Sequence, residues 1–489
     1  MDRPNPSPEA TGEVPAICRT PAPVLSSTDK GIVLFIAALA GFLTPFDGSA
    51  VNIALPVMAA EFHLDAIMLS WITTAYLLTS AVFLVPFGRI ADIYGRKRIF
   101  LYGIAIFTGA SLVMTMVSFP EMLIAIRLIQ GFGGAMIFGT ALAILSSVFS
   151  PGERGRALGI YIMAVYLGLT MGPFLGGILT GYLGWRSIFL VNVPLGILAC
   201  LLILWRIRGE WAECQGERFD LKGSVLYACS LVAVMLGLST VPDMKGVLLL
   251  SVGMVIGVIF VLYELRVPLP VLDLSLFTKN RVFAFSNLAA LISYCATYAV
   301  TFLLSLDLQL TRGFSPAQAG GILIVLPAVQ ALLSPVAGRL SDRIDSQVLA
   351  SFGIALTAVG MFPLVFISES TPVWYLIACL VILGAGFGIF SSPNINAIMS
   401  SVEKRYLGVA SGMNGTVRLV AQMLSMGIVM MLFSLFIGAV MITPENFPEF
   451  LQSLHYAFLI FSLLSLVGVV ASLMRGKGLP GGRGGSDVK

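Results

Sequence analysis

Gly88-Arg89-Ile90-Ala91-Asp92-Ile93-Tyr94-Gly95-Arg96-Lys97-Arg98 separates two long apolar runs, and Gly338-Arg339-Leu340-Ser341-Asp342-Arg343 separates another two, 250 residues later. Each is a short basic turn in which glycine lets the chain reverse and the flanking helices approach closely. Asp92 has the chemistry of a latch: it can pair with a nearby arginine or sit at a helix N-terminus, and either contact could break in a conformational change. A second echo has a similar offset. Ser150-Pro151-Gly152-Glu153-Arg154-Gly155-Arg156-Ala157-Leu158-Gly159 is answered by Ser401-Val402-Glu403-Lys404-Arg405-Tyr406-Leu407-Gly408-Val409-Ala410. Two echoes at one offset indicate an internal repeat.

Outward from these turns the chain is apolar throughout. Its 489 residues are 57% hydrophobic and 11% charged, with a mean hydropathy of +0.95. That composition belongs in a bilayer. Runs of the roughly 20 residues needed to cross one fall at 31–56, 68–88, 98–118, 121–148, 156–181, 187–207, 221–241, 246–264, 281–306, 317–338, 347–367, 372–393, 408–440 and 452–474. The fold class expected is an all-α integral membrane protein. Two six-helix halves alone would repeat at a shorter offset, so two extra helices near 221–264 separate them. The domains expected are a disordered tail at 1–29, a six-helix bundle at 30–208, an inserted pair at 209–265, a second bundle at 266–475 and a tail at 476–489. An even number of spans puts both tails on one side. Of the 29 lysines and arginines, only Arg186, Lys245 and Arg312 fall on the opposite face, while Arg127 and Arg418 fall inside helices. The positive-inside bias therefore predicts cytoplasmic termini and a cell-membrane location.

Several functions are disfavoured. Cys18, Cys200, Cys214, Cys229, Cys295 and Cys379 have no paired spacing, and His63 and His455 are the only histidines. A disulfide framework, a zinc site and a histidine-based triad all lack their parts. Gly384-Ala385-Gly386-Phe387-Gly388 has no strand-turn-helix setting and reads as helix packing. No enzyme chemistry, cofactor, metal or nucleic-acid partner is expected.

The spans themselves carry polar patterns. The fifth contains Gly168, Gly172, Pro173, Gly176 and Gly177; small residues four apart make a groove for a neighbouring helix, and the proline bends it. The fourth contains Leu123-x-x-x-Arg127-x-x-Gln130-Gly131-x-Gly133-Gly134, and the first Phe46-Asp47-Gly48-Ser49-Ala50-Val51-Asn52-Ile53-Ala54-Leu55-Pro56. An arginine in hydrocarbon needs a cavity or a counter-charge. At about 1.5 Å per residue, Asp47 lies roughly 12 Å from the outer end of its helix and Arg127 roughly 9 Å from the outer end of its own. The two are expected to share a cavity.

The 88–98 loop resembles the signature loop of the major facilitator superfamily. The Gly-x-x-x-Gly-Pro-x-x-x-Gly-Gly helix, the Arg127 segment, the Asp47 segment, Trp71 with Tyr76, and Trp185-Arg186-x-x-Phe189-x-x-Asn192-x-Pro194-x-Gly196 resemble its fourteen-helix drug:proton antiporters. Gly48-Ser49 stands where those proteins usually have a residue followed by threonine. The resemblance covers about 31–475 and implies a multidrug exporter working by alternating access, with protons and a small amphipathic, potentially cationic, molecule as partners. A monomer is the separate expectation for its assembly.

Asp47 and Arg127 are the expected proton-coupling pair; a static pairing is the competing reading. Asn52, Tyr76, Gln130, Asp307 and Arg418 are candidates for a substrate cavity. Asp307 is either a cation-attracting group at the outer mouth or an interfacial aspartate. Arg418 could bind an anionic group, bridge the halves, pair with a carboxylate or serve structure alone. Gly88, Asp92, Gly95, Arg96 and Asp342 form the candidate latch. A carrier of one metabolite, siderophore or lipid on the same fold, or a non-transporting scaffold, are the alternatives.

Overall fold

Residues 26–475, apart from 208, 213–215, 269, 342 and 404–406, are described by a computed structural model. Among these residues, fourteen helices are long and apolar enough to cross a membrane. They are α1 (Ser27–Phe62), α2 (Ala66–Tyr94), α3 (Arg96–Met114), α4 (Pro120–Val148), α5 (Pro151–Leu183), α6 (Arg186–Arg206), α7 (Leu221–Thr240), α8 (Met244–Glu264), α9 (Arg281–Thr311), α10 (Pro316–Leu340), α11 (Ser346–Phe366), α12 (Val373–Ser400), α13 (Leu407–Phe436) and α14 (Pro444–Met474). A helix satisfies its own backbone polar groups, which is why apolar runs of this length adopt it in lipid.

The helices run past the apolar stretches because polar residues cap them outside the hydrocarbon. Ser26 accepts from the Asp29 amide at 3.2 Å, so α1 begins at Ser27, inside the segment expected to be a tail. The rest of that tail and the one at 476–489 lie outside the described residues. Asp65 starts α2 by accepting from the Met68 amide at 2.7 Å. Asn280 does the same for α9 at 3.0 Å, and a Ser315–Gln318 capping box opens α10. Each such cap contributes about 1 kcal/mol. α9 continues beyond Leu306 as a π-helical turn, Asp307–Thr311.

Glycines let α5 lie close along α1. A methyl group on Gly168 would stand 2.4 Å from the Phe42 carbonyl oxygen, and one on Gly176 would stand 2.7 Å from the Ala50 Cα. Such close approach replaces hydrophobic burial as the source of cohesion between helices in lipid. α2 packs on α4, α3 on α4 and α6, and in the second half α11 packs on α12 and α14.

The halves meet at the end of the bundle remote from both termini. There Ser305 Oγ donates to the Asn52 carbonyl at 2.8 Å and Gln309 Nε2 to the Ile53 carbonyl at 2.9 Å. The Ala66 amide donates to the Val440 carbonyl at 3.0 Å. Gly177 and Gly320 bring α5 and α10 into backbone contact. A methyl on Gly320 would lie 2.2 Å from the Pro173 carbonyl oxygen, and one on Gly177 would lie 2.4 Å from that of Pro316.

The hairpin α7–α8 packs through α7 on α2 and α13, across the junction of the halves. Tyr227 donates to the Ala81 carbonyl at 3.1 Å, while Gly427 of α13 lies against Leu238 and Met235.

Candidate functional site

Asp47, midway along α1, is fully buried and holds three donors. Arg127 Nη1 lies 2.6 Å from Oδ2; Gln130 Nε2 and Asn192 Nδ2 lie 3.1 and 2.9 Å from Oδ1. Arg127, also fully buried, donates from Nε to the Ile72 carbonyl at 3.1 Å and from Nη1 to Gln130 Oε1 at 2.7 Å. Gln130 reaches on to Ser111 Oγ at 3.0 Å. Four helices, α1, α3, α4 and α6, thus supply side chains to one polar knot, and α2 supplies a carbonyl. Its two charges cancel.

The knot is not wholly satisfied. Arg127 Nη2 and Asn192 Oδ1 find no hydrogen-bond partner among the described residues. An unmet buried polar atom costs about 1–3 kcal/mol. The Tyr76 ring covers Arg127, with its centroid 4.6 Å from the guanidinium carbon.

Tyr76 is also a wall of the central cavity, of about 170 Å³, between the halves. The cavity lies on the terminal side of the contacts made by Ser305, Gln309 and Gly320. Asn52 and Arg418 line it with Tyr76. Asn52 Oδ1 accepts from Thr73 at 3.0 Å, while its backbone carbonyl joins Ser305 of the other half. One residue therefore touches both the cavity and the closure.

Two other candidates lie elsewhere. Gln130 stands behind Tyr76, in the Asp47 knot. Asp307 is fully buried at the remote end, 2.8 Å from Arg312 Nε and 2.7 Å from Thr311 Oγ1. Arg312 continues to the carbonyls of Ser368 and Thr371. Asp307 is thus neither open to the mouth nor a loose interfacial group; the π turn that follows it brings Arg312 onto its carboxylate.

Arg418 of α13 lies over the Phe138 ring of α4 at 5.6 Å, bridging the halves. It makes no ion pair with a carboxylate among the described residues. Tyr166, Tyr294, Tyr298, Gln330 and Gln422 also line the cavity and were not singled out from sequence. A polar side chain on one face of an apolar span was the signal available for each.

The stretch 88–98, expected as a turn, is helical apart from Gly95, because α2 runs on to Tyr94 and α3 starts at Arg96. Arg96 pairs with Asp92 at 2.7 Å and donates to Ser147 Oγ at 2.5 Å. Gly95 turns the chain at φ 121°, where its missing side chain makes room for Glu210. The Lys97 amide donates to Glu210 at 2.7 Å, and Arg89 pairs with Glu217. Gly88 lies against Gly139 of α4. These contacts fasten the α2–α3 junction to α4 and to the segment entering α7. Asp342, the latch candidate of the second copy, lies outside the described residues. Gly172 faces Ser49 of α1, whereas Gly177 and Pro173 face α10.

Glu264, the last residue of α8, is buried at the base of the hairpin, where Oε2 accepts from the Leu272 amide at 3.3 Å.

Residues 37–426 match the family model described as Major Facilitator Superfamily. The riboflavin transporter RibZ of Clostridioides difficile is 33% identical over 392 residues, 80% of this chain and 85% of that one. The cephamycin export protein CmcT of Amycolatopsis lactamdurans is 33% identical over 399 residues, covering 79% and 81%. The tetracenomycin C resistance and export protein of Streptomyces glaucescens is 26% identical over 91% of this chain and 82% of its own length. Among solved structures, a bacterial homolog of the human lysosomal transporter Spinster, inward-facing and unoccupied, aligns with a TM-score of 0.68 over 92% of this chain and 98% of that one, at 16% identity. With fourteen candidate spans and a family-model match over most of its length, the chain belongs to the Major Facilitator Superfamily of membrane transporters.

Proposed function

We propose that the protein exports amphipathic small molecules from the cytoplasm in exchange for protons, by alternating access between the two halves. The observation that carries this reading is Asp47: a carboxylate with no exposed surface, held by Arg127, Gln130 and Asn192, one tyrosine ring away from the cavity. Intramembrane carboxylates that are this costly to bury most often mark proton or ion pathways. The bias of basic residues supports cytoplasmic termini. On that orientation the remote closure faces outward and the cavity belongs to the cytoplasmic side.

The coupling follows from charge balance. With Asp47 ionised the knot is neutral and compact. A proton on Asp47 removes the partner charge of Arg127, which then needs another acceptor. Repacking of Arg127 moves Tyr76, the ring shared between knot and cavity, so proton and substrate each bias the same wall. Outward opening would expose Asp47 to the side where protons are abundant; inward return would release the proton.

The test is proton movement in inverted membrane vesicles during addition of anionic, cationic and neutral amphiphiles. Substrate-evoked flux is expected in the native protein and in Asp47→Glu, and not in folded Asp47→Asn. Flux retained in Asp47→Asn would sink the coupling assignment. A dedicated metabolite carrier is the second reading, favoured by the 33% identity to a riboflavin transporter; response to one compound in the panel would select it.

A further inference from the structure

The described cavity wall presents a single formal charge, and it is positive. Asp47 and Arg127 cancel behind Tyr76 and have no exposed surface. Asp307 is bound to Arg312 at the remote end, and Glu264 lies at the hairpin base; neither lines the cavity. Arg418 does line it. Its guanidinium carbon lies over the Phe138 ring, 5.6 Å from the centroid, and no described carboxylate pairs with it. A cation–π contact consumes none of its N–H donors, and none of them bonds to a described residue, so they stay free for an oxyanion. Around it stand π faces and amides: Tyr166, Tyr294, Tyr298, Phe387, Gln330 and Gln422.

We propose that the cavity is a binding site for planar aromatic molecules bearing a carboxylate, phenolate or enolate, whose anionic group pairs with the edge of Arg418. The rings stack among the tyrosines, and the amides hydrogen-bond their polar rims. Lipophilic cations, one kind of amphipathic molecule the sequence resemblance admitted, meet a like charge here and no exposed carboxylate on the described wall. The substrate class named here is that of the exporter proposed above; the binding claim itself needs no transport.

Fluorescein and rhodamine 123 share one ring system and carry opposite charge. Their binding to the full chain in nonionic detergent at pH 8 is read by fluorescence polarisation. Fluorescein is expected to bind at least about ten-fold more tightly, the worth of a hydrogen-bonded charge pair. Arg418→Gln should erase that preference and Arg418→Lys should keep part of it, each variant checked by size-exclusion chromatography. Equal or tighter binding of rhodamine 123, an unchanged ratio in Arg418→Gln, or no dye bound by folded protein would overturn the proposal. Fluorescein preference without proton flux in vesicles refutes proton-coupled export and leaves this site standing. Proton flux evoked by rhodamine 123 alone does the reverse.

Discussion

Replacing Gly320 with alanine tests whether the remote closure is the gate. The added carbon would sit 2.2 Å from the Pro173 carbonyl oxygen, 3.1 Å from its carbon and 3.3 Å from the Gly177 Cα. All three are backbone atoms, so no side chain can swing aside. Restoring ordinary contact requires α5 and α10 to separate by about 1 Å, in a bundle too well packed to absorb it locally. Overpacking of this kind costs about 1–3 kcal/mol, and here the penalty falls on the closed state alone. The ratio of closed to opened molecules should fall by about five-fold to over a hundred-fold. Gly321→Ala is the matched control, since nothing lies within 4 Å of its added carbon. The assay uses a single cysteine at Thr297, on the cavity wall, in a protein whose native cysteines are replaced. An impermeant maleimide is added to vesicles of each orientation. Labelling from the side remote from the termini should rise in Gly320→Ala and stay at the parent level in Gly321→Ala. Equal labelling in both variants, or no change in either, would refute the gate.

Three further outcomes follow from contacts already described. Asp47→Asn leaves Arg127 charged and unmatched in the core, a loss of about 3–5 kcal/mol; adding Arg127→Gln should recover part of the melting temperature in detergent, and a double variant weaker than the single would contradict the pairing. Gly95→Ala forces a side chain to φ 121° and into Glu210, so it should lower thermal stability by about 1–3 kcal/mol, whereas Gly109→Ala, with open space around it, should match or slightly exceed the parent. Arg312→Gln strands the buried Asp307 carboxylate and should cost about 3–5 kcal/mol in the same melts; the Asp307→Asn/Arg312→Gln pair should be milder than Arg312→Gln alone.

Hydropathy alone made the fourteen spans legible, because lipid demands a fixed length of apolar helix. Depth counting brought Asp47 and Arg127 together, since both are counted from ends on the same face. The same counting could not supply Asn192 or Gln130 as ligands of Asp47: which face of a helix turns inward depends on packing, not on depth. Asn192 was nonetheless the outstanding polar residue in an apolar α6. Asp307 illustrates the opposite failure. The regular helix runs up to Leu306 and buries Asp307, while the π turn after it carries Arg312 back over the carboxylate, and local periodicity gives no warning of such a turn. The glycines of α5 were legible as a packing stripe. Their division between α1 and α10 required the second half of the molecule, which sequence spacing does not position.

Arg418 also has an electrical consequence. A monovalent cation leaving as one proton enters moves no net charge, so the membrane voltage neither helps nor hinders it. A monoanion drawn to Arg418 would leave with the voltage of a cell that is negative inside, and the entering proton would move with it too. Two elementary charges would then cross per cycle, each contributing about 2.3 kcal/mol per 100 mV. A carrier with this cavity would draw on voltage as well as on the pH difference, and would keep pumping when the two sides are equally acidic.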